Sequence, residues 1–191
     1  MKKRVILVHG WEGDPQSHWF PWLTNELNNR DFDVISPVMP NSEVSNFDEW
    51  ISALMEVTPV LNEETYFVGH SIGCLAIIHF LQKNNKKIGG AVFVAGYFDL
   101  TDVVIGRERE VTEPWLQLPI NFEMVRATSN KFITILSDND EDVPLDITKE
   151  KFEKKLHAKV IVEHNKGHFT EGDGVTELPS VLESILEISQ L

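Results

Sequence analysis

The chain has one cysteine, so no disulfide can close within it. That residue, Cys74, lies in an apolar stretch and reads as a small core side chain. Basic residues are scarce: 17 Lys and Arg stand against 30 Asp and Glu, for a net charge of −13. Nucleic acid and anionic membrane surfaces are held by basic patches, so neither is expected as a partner. Long apolar runs are missing as well. The VILV run that follows Met1-Lys2-Lys3-Arg4 stops at His9-Gly10, too short for a signal-peptide core. No stretch approaches the roughly 18 apolar residues of a membrane span. Repeats, low-complexity tracts and linkers are also lacking. These absences point to a single cytoplasmic domain over residues 1–191, with 42% hydrophobic residues to build its core.

Buried strands alternate with helices along the chain. Val5-Ile6-Leu7-Val8, Asp33–Ser36, the run ending at Val68, Ala91–Ala95, Lys131–Leu136 and Lys159–Val162 read as six strands. Helical patterns lie between them. Asn46-Phe47-Asp48-Glu49 is a capping box, followed by Trp50, Ile51 and Leu54 on one face. Asp146 caps a charged helix running to Leu156, and Pro179 starts a last helix. The expected fold class is therefore α/β, a three-layer, doubly wound, mostly parallel sheet. Residues 97–130 show no clear period apart from a short helix over 123–128, and read as a cap-like insertion.

Gly69-His70-Ser71-Ile72-Gly73 is a G-x-S-x-G pattern between a buried strand and an apolar helix, the setting of a nucleophile elbow. Glycine is expected at both flanks because the residues two before and two after the serine come too close for a Cβ. In an open parallel sheet, ligands bind beyond the carboxyl ends of the strands. Ser71 follows strand three, an acidic loop (residues 137–144) follows strand five, and His168 follows strand six. The order serine, acid, histidine is that of a serine nucleophile served by a histidine base and an orienting carboxylate.

His168 is the best base because a glycine precedes it in a loop, with His164 the runner-up; His70 is expected to point away across the elbow. In the acidic loop, counting back from Val143-Pro144 selects Asp140, with Asp138 the alternative and Asp142 behind both. Backbone N–H groups of Ile72 and Trp11 are the candidate oxyanion donors. His9, His18 and Trp115 are candidates for lining the substrate pocket. Metal is not expected. Asp138, Asp140 and Asp142 open like a calcium loop, but Val143 and Lys149 stand where glycine and glutamate belong, and no H-E-x-x-H is present.

HGWEGDPQSHWFPWL at 9–23, ETYFVGHSIGCLAI at 64–77, SDNDEDVP at 137–144 and KGHFTEGDGVTELP at 166–179, with Pro114-Trp115, resemble the small serine hydrolases of the YdeN and retinoblastoma-binding-protein type. That resemblance implies a compact α/β-hydrolase fold and cofactor-free hydrolysis of a small ester, thioester or amide by Ser71, Asp140 and His168. A retinoblastoma-type partner is not supported, because the only cysteine sits in Ile72-Gly73-Cys74-Leu75-Ala76 rather than in L-x-C-x-E. The alternative is a binding or regulatory protein that keeps the fold without the chemistry.

Overall fold

The computed structural model describes residues 2–190. Six strands form one sheet: β1 (Arg4–Val8), β2 (Asp33–Ile35), β3 (Thr65–His70), β4 (Gly90–Val94), β5 (Phe132–Ser137) and β6 (Lys159–Glu163). Their spatial order is β2-β1-β3-β4-β5-β6, and every pairing is parallel. The order reverses between β1 and β3, which opens a crevice at their carboxyl ends.

Side chains alternate across this sheet with period two. Ile6, Val8, Phe67, Ala91 and Phe93 face one core, where α2 (Phe47–Val57) and α3 (Ile72–Asn84) pack. Val5, Leu7, Val68, Val92 and Val94 face the other, against α1 (Phe20–Asn28) and α7 (Pro179–Ser189). Three layers result, and the fold is α/β. All ten residues from Ile72 to Leu81 are buried, so this part of α3 is apolar nearly all round because it has no solvent face; only the last turn, with Lys83, reaches water.

The insertion between β4 and β5 carries more structure than its sequence suggests. Besides α5 (Phe122–Thr128) it contains α4 (Gly106–Leu116), a highly charged helix with Pro114 inside. Only Val111, Thr112 and Trp115 of α4 are buried, too few to set up a readable period. The Trp115 indole N–H donates to the Ser45 carbonyl at 2.7 Å and its ring packs edge-on to Trp50, so α4 is held by tertiary contacts. The charged helix after β5 is α6 (Leu145–Lys151), continued by a π-helical turn over Phe152–Leu156. Pro144, not Asp146, stands at its N-cap. The Asn46 side chain accepts from the Glu49 N–H as expected, whereas the Glu49 carboxylate accepts from Asn41 instead of closing the box.

Candidate active site

The serine turn is strained. Ser71 has φ 55° and ψ −129°, a region that non-glycine residues rarely occupy and that costs of order 1–3 kcal/mol. It is held there from both sides: its N–H donates to the Val94 carbonyl, and its own carbonyl accepts from Cys74 N–H. The flanking glycines are required, but not because they meet each other. A Cβ on Gly73 would lie 2.4 Å from the Val8 carbonyl oxygen at the end of β1, and one on Gly69 would lie 2.9 Å from Cys74 Cα. A Cβ on Gly10 would lie 3.1 Å from Ser71 Cβ, so the loop after β1 runs directly past the serine.

That loop is pinned by a buried histidine. The Met39 N–H donates to His9 Nε2, which fixes the proton on Nδ1, and Nδ1 donates to the Gly10 carbonyl at 2.8 Å. Neither Trp11 N–H nor Ile72 N–H makes a turn, loop or cap hydrogen bond to another backbone group among the described residues. Two of the three candidate pocket residues are elsewhere: His9 is 1% exposed against Trp50, and Trp115 is 2% exposed in the core under α4. Both are large rings that complete aromatic packing. His18 lines the cavity into which Ser71 opens.

The acidic loop and the loop after β6 are laced together. Ser137 Oγ accepts from Lys166 N–H, Asn139 Oδ1 from Gly167 N–H, and Asp138 Oδ1 from Asn165 N–H. Gly167 has φ 51°, and a Cβ there would run into the Asp173 carboxylate. That carboxylate accepts from the N–H groups of His168 and Thr170 and from the Thr170 hydroxyl.

Two histidine–carboxylate pairs emerge from this lacing. His164 Nδ1 lies 2.5 Å from Asp138 Oδ2, but its side chain is 80% exposed. The hydrogen bond and charge of Asp138 raise the His164 pKa, and His164 in turn holds the Asp138 carboxyl below its usual range. His168 Nδ1 lies 2.8 Å from Asp140 Oδ2, with side chains 16% and 2% exposed. Asp140 Oδ1 accepts from the N–H groups of Asp142 and Val143, so both its oxygens are engaged. A carboxylate can only accept, which puts the His168 proton on Nδ1 and leaves a lone pair on Nε2. Burial pulls the His168 pKa down. The Asp140 hydrogen bond and charge, followed by the charges of Asp142 and Glu108, outweigh it, and the net shift is upward.

Ser71, His168 and His18 share one cavity of about 450 Å³, walled by Trp11 and by Glu108 from α4. His70 faces it too, contrary to the expectation that it points away. Its ring sits 5.3 Å from those of His18 and His168, and Nε2 donates to the His168 carbonyl at 2.8 Å. Burial and the neighbouring His168 keep its pKa well below the ordinary value, so it is neutral. Tyr97, just beyond β4, brings its hydroxyl to those of Ser71 and Thr112, and burial pushes its pKa up. Sequence reasoning passed over Tyr97; its only signal was its place after a strand end. Ligand atoms of Asp140, Asp142 and His168 also fall within 4.8 Å of one another, but those of Asp140 are already satisfied. No helix among the described residues is long and apolar enough to cross a membrane.

Comparison with known proteins finds relatives along nearly the whole chain. A family profile described as serine hydrolase matches residues 5–187. YdeN of Bacillus subtilis, a protein named as a hydrolase, is 30% identical over 185 residues, covering 95% of this chain and 93% of its own. The serine hydrolase RBBP9 of Rattus norvegicus is 25% identical over 186 residues, covering 96% and 95%. The crystal structure of the Bacillus subtilis ydeN gene product superposes with a TM-score of 0.89 at 26% identity, covering 97% of this chain and 98% of that one. Est1E from Butyrivibrio proteoclasticus shares the fold, with a TM-score of 0.74 at 16% identity over 98% of this chain and 88% of its own.

Proposed function

The chain belongs to the serine hydrolase family, and from that premise we propose that it cleaves small carboxylic esters, thioesters or amides through an acyl-enzyme on Ser71. His168 acts as general base and acid, and Asp140 orients and stabilises the imidazole. The observation that carries the reading is a strained, glycine-flanked serine and an Asp140-paired histidine opening into the same small cavity.

In this reading a substrate carbonyl lies over Ser71 with its oxygen toward the N–H groups of Ile72 and Trp11, at the N-terminal end of α3, whose dipole favours developing negative charge. Oγ attacks the carbonyl carbon while its proton passes to His168 Nε2. The imidazolium, stabilised by Asp140, returns that proton to the departing alcohol, thiol or amine. Water then enters, gives its proton to His168, and attacks the acyl carbon. Collapse of the second tetrahedral intermediate releases the acid and restores the serine. The hydrogen bonds from His9 to Gly10 and from His70 to the His168 carbonyl hold the donor loop and the base in register. A cavity of about 450 Å³ suits a small substrate.

The test is hydrolysis of p-nitrophenyl esters of short acids by wild type and Ser71→Ala. Turnover by wild type with a loss of about 10⁴-fold in the variant is expected. Comparable activity in a folded Ser71→Ala protein would overturn the assignment.

A further inference from the structure

The cavity at Ser71 is unusual in its charge. Fourteen residues line it, of which five are acidic (Glu12, Glu108, Asp142, Glu171 and Asp173) and none is lysine or arginine. This does not merely follow from the net charge of the chain. Four other surface cavities each carry at least one lysine or arginine. Asp173 is occupied in fixing the loop of His168. Among the described residues no lysine or arginine pairs with Glu12, Glu108, Asp142 or Glu171, and the nearest basic partner of Asp142 is His168 at 3.9 Å. The cavity is a ligand site on separate grounds: Ser71, only 8% exposed, opens into it, and so does His168.

We propose that the pocket selects substrates that carry a positive charge, a protonated amine or quaternary ammonium, within a few ångströms of the scissile bond, and that Glu108 and Asp142 read that charge. The inference rests on the hydrolase reading of the same site. Glu108 projects from α4 and Asp142 from the loop after β5, so the two come from different segments to one wall. Both are partly desolvated. Burial, and then the charge of Asp142, raise the pKa of Glu108; burial, with Asp140 and Glu141 nearby, raises that of Asp142. Carboxylates in that condition gain from an entering cation and reject an anion, so the pocket discriminates in both directions.

The test uses phosphonothiolates, which need no knowledge of the natural acyl group. Oγ of Ser71 bonds to phosphorus, the P–S bond breaks, and the serine proton passes through His168 to the leaving thiolate. Two isosteric probe pairs place a trimethylammonioethyl or a neutral 3,3-dimethylbutyl group on either the leaving sulfur or the retained oxygen. Labelling rates at Ser71 are compared by mass spectrometry.

In at least one pair the cationic probe should label roughly 10-fold faster or more at low salt. The preference should shrink as salt rises to about 0.5 M and should fall toward unity in a Glu108→Gln, Asp142→Asn double variant. Equal rates in both pairs, or a preference that survives salt and the double variant, would overturn the inference while leaving the hydrolase reading intact. Labelling of folded wild type by none of the four probes would overturn the hydrolase reading, and this inference with it.

Discussion

Replacing Asp140 by asparagine probes the least obvious part of the site, the choice among crowded acids. Asp140 Oδ2 accepts from His168 Nδ1 at 2.8 Å, and Oδ1 accepts from the N–H groups of Asp142 and Val143. The new amide keeps its carbonyl on those two backbone donors, so the loop keeps its shape. Its NH₂ group then faces Nδ1 of His168. Two donors cannot share that contact, so the imidazole moves its proton to Nε2, where the proton of Ser71 has to go.

A wrong tautomer in intact geometry is worth about 10⁴-fold in turnover, or roughly 5.5 kcal/mol of transition-state stabilisation. The control is Asp138→Asn. Asp138 serves the exposed His164, and an exposed pair contributes little, so activity should stay within about threefold of wild type. Both variants are assayed on a p-nitrophenyl ester, with thermal unfolding to verify the fold. If Asp140→Asn kept more than about a tenth of the activity, or if Asp138→Asn caused the large loss, the reasoning would fail.

Other perturbations test other links. His168 must be neutral to accept a proton, and its pKa lies above 6.5, so kcat/KM should rise with pH through an apparent pKa on the alkaline side of that value. Glu108→Gln should move that limb to lower pH by removing one charge that raises it; an unmoved limb would contradict the assignment. The same shift has a stability consequence. The extra stability from the His168–Asp140 pair is fully present below the unfolded pKa and is lost as pH rises through the folded one. Gly73→Ala forces a methyl against the Val8 carbonyl and should lower the urea midpoint by an amount equivalent to about 2–4 kcal/mol, with loss of activity; an unchanged midpoint would refute that close approach. Cys74 is fully buried and burial pushes its thiol pKa up, so a thiol reagent should modify it only on unfolding.

What could be read from the sequence divides along physical lines. The strands were legible because both faces of a parallel sheet are buried, which leaves continuous runs such as Val5–Val8 with little ambiguity. The convergence of loops carrying Ser71, Asp140 and His168 on one sheet edge followed from topology, since each loop comes after a parallel strand. The helix α4 was not legible, because its charged residues outnumber its three buried ones and Pro114, ordinarily a helix breaker, lies inside it. Glu108 was invisible as a pocket residue for the same reason. Its place depends on how Trp115 docks against Trp50 and Ser45, contacts made 65 and 70 residues away in sequence. His9 and Trp115 were misjudged because a histidine or tryptophan near a site looks alike in sequence whether it packs or binds. Only the hydrogen bonds of His9 to Met39 and Gly10, and of Trp115 to Ser45, distinguish the two uses.

The central claim, that Ser71 is an activated nucleophile served by His168, is tested most directly with a fluorophosphonate followed by intact-mass measurement. Such a reagent bonds to a serine only where a base and an oxyanion site activate it. Wild type should gain one adduct at Ser71, while folded Ser71→Ala and His168→Ala proteins should gain none on the same timescale. A folded wild type that stays unlabelled, or an adduct that persists in Ser71→Ala, would contradict the account.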